Sequence, residues 1–386
     1  KRFGIIVVPT RGGKTFIASE ICRIFLNTDD GKFLFLTDNT TLFNQAVGDL
    51  QEFFQRYGGV EVGEIKAGKI DTGKRVTVGM IQTVQSTLSK RCKDKKKKAE
   101  LTKYLRELKF LCVDEIHDNC SDSKLSIYKK CKRLEYQLCL SATPYRTGAL
   151  VQNLKLKEWS GDVVYTITEA KLRKRKVLSD YKVFMLLVNH NNLEYDTKVD
   201  DYDQYRKDLI FHSAYRNGVL RMVVKILRRL NLKTLLLFQS KEHGYTMERL
   251  TGIPFICGDN TGEEREEAKE AFLEGKGGML SASGIFKKGV TLPAVEVMIN
   301  VDGGLEDANT IQKKGRVLGA TKDKQRSLII DFFDEFDAYF SDHSGARLQT
   351  YIDAIGEKRV GILDTEIDDC YETLERWIKR WFKLDE

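Results

Sequence analysis

The chain has 386 residues, 41% apolar and 31% charged, enough for two or three domains with substantial cores and too hydrophobic for an intrinsically disordered chain. Its formal charge of +8 favours an anionic partner, and no apolar stretch is long enough for a helix to span a bilayer, which excludes a membrane-spanning helix. The eight cysteines form no Cys-x-x-Cys pair, and Cys22, Cys112 and Cys139 sit in or beside apolar runs, so buried reduced thiols in a cytoplasmic protein are expected.

The chain opens without Met and almost directly on a strand, which leads us to expect a piece of something longer. Ile5, Ile6, Val7 and Val8 form that apolar strand. Residues 9–15, Pro-Thr-Arg-Gly-Gly-Lys-Thr, follow it and precede Phe16, Ile17, Ala18, Ile21 and Cys22, whose spacing suits a helix packed on a sheet. Strand, glycine loop and helix make a phosphate-binding arrangement, in which Gly12 and Gly13 turn backbone N–H groups inward and the helix start adds its positive pole. Thr10, Arg11, Gly12, Gly13, Lys14 and Thr15 are therefore the candidate nucleotide cradle. Lys14 would reach the β- and γ-phosphates, and the Thr15 hydroxyl would ligate magnesium. Val8 stands where the strict loop pattern asks for glycine; the variant with Pro-Thr before the glycines fits without strain.

Strand and helix signals then alternate through residue 145, which argues for a parallel α/β domain. A short buried strand at 33–36 runs into Asn39, Thr40 and Thr41, polar residues that open a helix with Leu42, Ala46, Leu50 and Phe53 on one face. A strand at 75–81 meets Gln82 and Thr83. The lysine-rich block at 90–98 reads as a solvated loop, with phosphate contact as the alternative. The apolar strand 110–113 delivers Asp114, Glu115, Ile116 and His117 to the ligand-binding edge of an open sheet. There Asp114 would hold magnesium and Glu115 would polarise a water. Another apolar strand at 136–140 ends in Ser141, Ala142, Thr143, Pro144, Tyr145 and Arg146, small hydroxyls placed to link the nucleotide site to something beyond it.

Residues 147–180 lose the strand–helix rhythm and read as a passage between domains, with a short basic helix at 168–176. A second α/β domain follows, with strands at 181–188, 234–238, 253–256, 278–281, 295–301 and 327–331 and a charged helix at 263–273. It has no glycine loop of its own. It carries instead residues 281–293, which include Lys287 and Lys288, and then Gln312, Lys313, Lys314, Gly315 and Arg316. One glycine loop for two sheets suggests a nucleotide held between domains, with Arg316 supplied from the second. The C-terminal stretch bears Trp377 and Trp381 at helical spacing, which reads as core packing before it reads as a base-stacking surface. The expected domains are 1–160, a passage at 161–180, then 181–345, with a helical extension at 346–386.

Residues 9–15, 114–117, 141–143, 281–293 and 312–316, in this order, resemble the motifs of superfamily 2 helicases of the DExH type. Residues 213–217 also resemble that family, particularly its branch-migration and restriction-enzyme members, and residues 282–286 and 347–358 resemble phage recombination helicases of the UvsW kind. The resemblance implies two RecA-like domains, parallel sheets flanked by helices, with ATP and Mg2+ in the interdomain cleft, followed by a small helical C-terminal region. It implies catalytic roles for Lys14, Asp114 and Glu115, coupling roles for His117, Ser141 and Thr143, and γ-phosphate sensing by Gln312 and Arg316. Asn39, Thr40, Thr41, Gln82, Thr83, Arg146, Lys287 and Lys288 fall where the family grips a nucleic-acid backbone, as a motor indifferent to sequence requires.

Two departures from the family pattern stand out: Thr291 where many members place aspartate, and Gly319 where a second arginine commonly stands, three positions after Arg316. The implied function is an ATP-dependent DNA helicase or translocase acting on single-stranded or branched DNA, with no membrane partner; the sequence leaves the oligomeric state open, with a monomer favoured. It would work in the cytoplasm, of a bacterial host if the chain is phage-encoded. The alternatives are an ATP-binding clamp with weakened hydrolysis, an RNA helicase, and a restriction-complex subunit, for which no stretch announces a nuclease domain.

Overall fold

The structure, a computed structural model, describes residues 2–118, 121–145, 149–189, 202–275, 278–283, 294–303, 319–321, 324–336 and 338–384. The chain divides into two compact units, Lys1–Lys171 and Leu172–Glu386.

The first unit begins β1 (Arg2–Val7), α1 (Lys14–Thr28), β2 (Phe33–Thr37) and α2 (Thr40–Arg56). A hairpin, β3 (Val62–Lys66) and β4 (Lys69–Ile70), precedes β5 (Val76–Met80), α3 (Ile81–Leu88) and α4 (Lys95–Glu107). It closes with β6 (Phe110–Val113), α5 (Asp122–Tyr128), β7 (Tyr136–Ser141), α6 (Leu150–Ser160) and β8 (Val163–Thr166). The strands form one sheet in the order β4-β3-β5-β2-β6-β7-β1-β8, parallel except at the β3–β4 hairpin.

Continuous apolar strands are what a sheet covered on both faces requires, and β2 and β6 are buried along their whole length. Alternation divides their side chains: Leu34 and Leu36 join one core layer with Leu101 and Leu105, while Phe33 and Phe35 join the other with Ala18, Cys22 and Phe43. The lysine block expected as a loop instead enters α4, because Leu101, Tyr104 and Leu105 give that helix a buried face. β8, in the stretch that showed no rhythm, pairs with β1; its exposed side chains hide it from a pattern search.

The second unit follows α7 (Glu169–Lys174), in which the division falls. It comprises β9 (Asp180–Asn189), α8 (Tyr202–Arg206), α9 (Ala214–Arg229), β10 (Thr234–Leu237), α10 (Lys241–Thr251), β11 (Phe255–Ile256) and α11 (Gly262–Glu274). Then come β12 (Met279–Ala282), β13 (Val297–Asn300), β14 (Arg326–Glu335), α12 (Ala338–Ile355), β15 (Val360–Asp364) and α13 (Cys370–Phe382). The sheet order is β11-β12-β10-β13-β14-β9-β15, parallel throughout its described pairs.

The C-terminal residues supply two helices and also β15, which extends this sheet. Gly361 in β15 leaves room for Trp377, whose ring would lie 3.0 Å from an added Cβ. Trp377 packs on Phe184, and the Trp381 indole donates to the Ser327 carbonyl at 2.8 Å, so both tryptophans, partly buried, pack against the core.

A buried polar network braces the carboxyl ends of β10, β13 and β14. Arg216 holds Asp334 at 2.6 and 3.1 Å and donates to the Val301 carbonyl at 2.7 Å. His243 bridges Asp302 at 2.5 Å and Asn217 at 2.9 Å, while Asp302 also accepts from the backbone N–H groups of Gln239 and Ser240. Asp331 is held by Asn300, Arg347 and Tyr351. Burial alone would raise the Asp302 carboxyl, but His243 and the two N–H donors more than offset it and hold it below the ordinary carboxylate range. Among the described residues no helix is long and apolar enough to cross a membrane.

Candidate nucleotide site and backbone groove

The turn between β1 and α1 is built for close approach. Gly12 N–H donates to the Pro9 carbonyl at 2.8 Å, and Val8 N–H donates to Ser141 at 2.9 Å, tying the loop to the end of β7. Arg11 and Gly13 both have positive φ, 62° and 86°. Gly13 is the N-cap of α1 and supplies no side-chain cap, so the first N–H groups of the helix are left for an external acceptor. Burial lowers the Arg11 guanidinium to about 10, and its Nη2 is buried without a hydrogen-bond partner. An orphaned guanidinium donor beside an uncapped helix start fits an anion of the phosphate class.

Lys14 turns from this turn to the end of β6. Its Nζ pairs with Glu115 and lies 3.8 Å from Asp114. Burial pushes the Lys14 ammonium down, but Asp114 and Glu115 more than reverse this and raise it. Burial lifts the Asp114 carboxyl to about 6, with Lys14 opposing and the Glu115 charge adding. Glu115 holds a left-handed backbone, φ 45°, which is strained for a non-glycine residue and turns its carboxylate back towards Lys14.

From Glu115 the polar contacts continue. His117 Nδ1 lies 3.5 Å from the Glu115 carboxylate and 2.8 Å from Ser141 Oγ, and Ser141 Oγ accepts from Thr143 N–H at 3.1 Å. Lys14, Asp114, Glu115, His117, Ser141 and Thr143 therefore form one chain of contacts across β1, β6 and β7, although β7 stands between the other two strands. Burial raises the carboxyl of Asp49 in α2, and the nearby Gln45 and Thr15 side chains oppose that rise.

The donor set suits magnesium. Asp114 offers a carboxylate and Thr15 a hydroxyl, both hard oxygen donors, and among the described residues no group of three or more His, Cys, Asp or Glu could hold a metal unaided. Two protein oxygens completed by phosphates and water are what that ion accepts.

Asn39 caps α2 by accepting from Leu42 N–H at 2.9 Å, Thr41 is exposed in its first turn, and Gln82 donates to the Asp38 carbonyl. Thr40, Gln82 and Thr83 line one groove of about 610 Å3, which Lys66, Ser86, Thr87 and Lys97 also line. Lys66, Ser86 and Thr87 escaped the sequence reading, as β3 is too polar to announce itself, whereas Lys97 belongs to the block for which phosphate contact was the alternative. Arg146, Lys287, Lys288, Thr291, Gln312 and Arg316 lie outside the described residues. Gly319 is described, and it forms an antiparallel bridge with Leu178.

A family model described as "Type III restriction enzyme, res subunit" matches residues 1–146, and one described as "Helicase conserved C-terminal domain" matches residues 218–320. The ATP-dependent DNA helicase uvsW of Enterobacteria phage T4 is 22% identical over 345 residues, covering 86% of this chain and 65% of that protein. The chain thus spans less than two thirds of the length of this relative. The DNA 3'-5' translocase XPB2 of Sulfurisphaera tokodaii is 24% identical over 363 residues, 84% of this chain and 76% of that protein. The solved structure of S. cerevisiae Dbp5 bound to RNA and ADP BeF3 shares the fold, with a TM-score of 0.63 at 16% identity over 98% of this chain and 89% of that one.

Proposed function

We infer the activity from the family, for the chain belongs to the superfamily 2 helicases, and we propose an ATP-dependent DNA helicase or translocase that remodels forks or four-way junctions. The observation that carries this reading is the Lys14–Glu115–Asp114 cluster set beside the open anion seat of Arg11 and the α1 N-terminus.

In the proposed cycle the loop N–H groups, Arg11 and Lys14 take the triphosphate. Lys14 then exchanges its carboxylate partner for phosphate oxygens, which frees Glu115 to accept a proton from the attacking water. Magnesium, when bound, neutralises charge on the β- and γ-phosphates, with Asp114 and the Thr15 hydroxyl as its protein ligands. His117, Ser141 and Thr143 pass the state of Glu115 along β7, and Gln312 and Arg316 sense the γ-phosphate. Thr40, Thr41, Gln82, Thr83, Arg146, Lys287 and Lys288 hold the strand by its backbone.

DNA is favoured over RNA by two relatives whose names state DNA as the substrate. A second reading, a clamp that binds ATP and turns it over poorly, rests on Gly319 standing where the family commonly has an arginine. A gel assay of labelled forks and junctions with ATP tests the first reading. Conversion to remodelled products is expected; ATP-dependent displacement of RNA strands alone would replace it with an RNA helicase, and ATP-dependent retention without conversion would favour the clamp.

A further inference from the structure

The groove of the first unit has cationic lining that the helicase motifs do not supply. Lys66 enters it from β3 and Lys97 from the first turn of α4, beside Ser86 and Thr87 of α3. That first turn is Lys95, Lys96, Lys97 and Lys98, with no acidic residue. Cations at a helix start oppose its positive pole. The Asp94 cap, which accepts from Lys97 N–H at 3.0 Å, offsets this locally. Lys98 is tied back to the Ser89 carbonyl at 2.8 Å, and Lys97 reaches the Gly68 carbonyl at a long 3.5 Å. A helix start so arranged gains from an external polyanion.

The acidic groups nearby leave both lysines available. Glu64 pairs with Lys66 at 2.6 Å and with Lys69 at 2.8 Å, so it keeps a partner if Lys66 moves to a phosphate. The Lys97–Asp94 pair, 3.9 Å apart, is half-exposed and weakly held. Met80 adds half-buried apolar surface to the groove, and the Lys66 ammonium lies 5.7 Å from the centre of the buried Phe43 ring.

We propose that this groove carries the backbone of a single nucleic-acid strand beyond Thr40, Gln82 and Thr83, with Lys66 and Lys97 each neutralising one phosphate and Thr87 donating to its oxygens, while the Ser86 hydroxyl donates to the Thr83 carbonyl at 3.0 Å. It rests on the helicase reading and extends that interface to α4 and the β3–β4 hairpin. The occupant is recognised by charge and spacing rather than by base, as ammonium and hydroxyl donors dictate.

The test is the salt dependence of binding of fluorescein-labelled oligo-dT to the full chain, wild type against the Lys66→Ala/Lys97→Ala double variant. Removing two phosphate contacts lowers the slope of log affinity against log salt by about 1.4, at roughly 0.7 per contact on a single strand. The double variant Lys66→Arg/Lys97→Arg restores the slope, and an unchanged melting temperature in each variant shows the fold intact. A wild-type slope in the alanine variant overturns the groove assignment and leaves the helicase reading standing. A variant that loses affinity for hairpin duplex but not for oligo-dT overturns the single-strand occupant. A wild-type chain that binds no nucleic acid at any salt overturns both readings.

Discussion

At the residue scale the site is a lysine held between two acids. Lys14→Ala is expected to abolish ATP binding, since the loop then keeps its N–H groups but loses the charge beside them. Glu115→Gln is expected to retain binding while slowing turnover by about 10²–10⁴-fold, as loss of a positioned base does. Equilibrium titration with a fluorescent ATP analogue and a phosphate-release assay separate the two effects. Gly13→Ala is expected to cost about 1–2 kcal/mol in urea unfolding, because φ 86° is left-handed and no neighbour other than Phe16 lies within 4 Å of the added Cβ. These residues were legible from sequence because each chemistry demands its residue type. The orphaned Arg11 donor was not legible as such, because burial and side-chain direction leave no sequence spacing.

At the scale of elements, Asn39→Ala is expected to destabilise the first unit by about 1 kcal/mol through loss of the α2 cap, read by chemical unfolding. In the second unit, Asp302→Ala leaves His243 and two N–H donors without their acceptor and is expected to cost about 3–5 kcal/mol. Its pH signature has a definite sign. The folded Asp302 carboxyl lies below its unfolded value of about 3.9, so its contribution is present above about pH 4 and is lost as pH falls through the folded value. Unfolding curves of wild type and Asp302→Asn should therefore converge at acid pH and separate above pH 4.

The strands that showed in sequence are those buried on both faces, such as β2, β6 and β10. Those that did not show are edge or polar strands: β3 with Glu64 and Lys66, β8 with its exposed side chains, and β15 with a glycine under Trp377. The lysine block was misread because like charges repel in isolation, whereas the buried face further along α4 decides the matter.

For the whole molecule, two parallel sheets were legible from the alternation of apolar runs and amphipathic helices, and a glycine loop in the first alone pointed to a single nucleotide site. What the alternation could not show is that α12, β15 and α13 build onto the second sheet and its core, because tertiary pairing rather than local pattern makes β15 a strand. On the proposed function, ATP turnover by this chain answers to nucleic acid. Steady-state ATP hydrolysis measured with no nucleic acid, single-stranded, duplex, forked and junction DNA, and RNA tests it most directly. The expected result is a rate that rises on adding DNA, most with branched forms, and vanishes in Lys14→Ala; an ATP-binding chain whose rate is the same with and without every nucleic acid would contradict it.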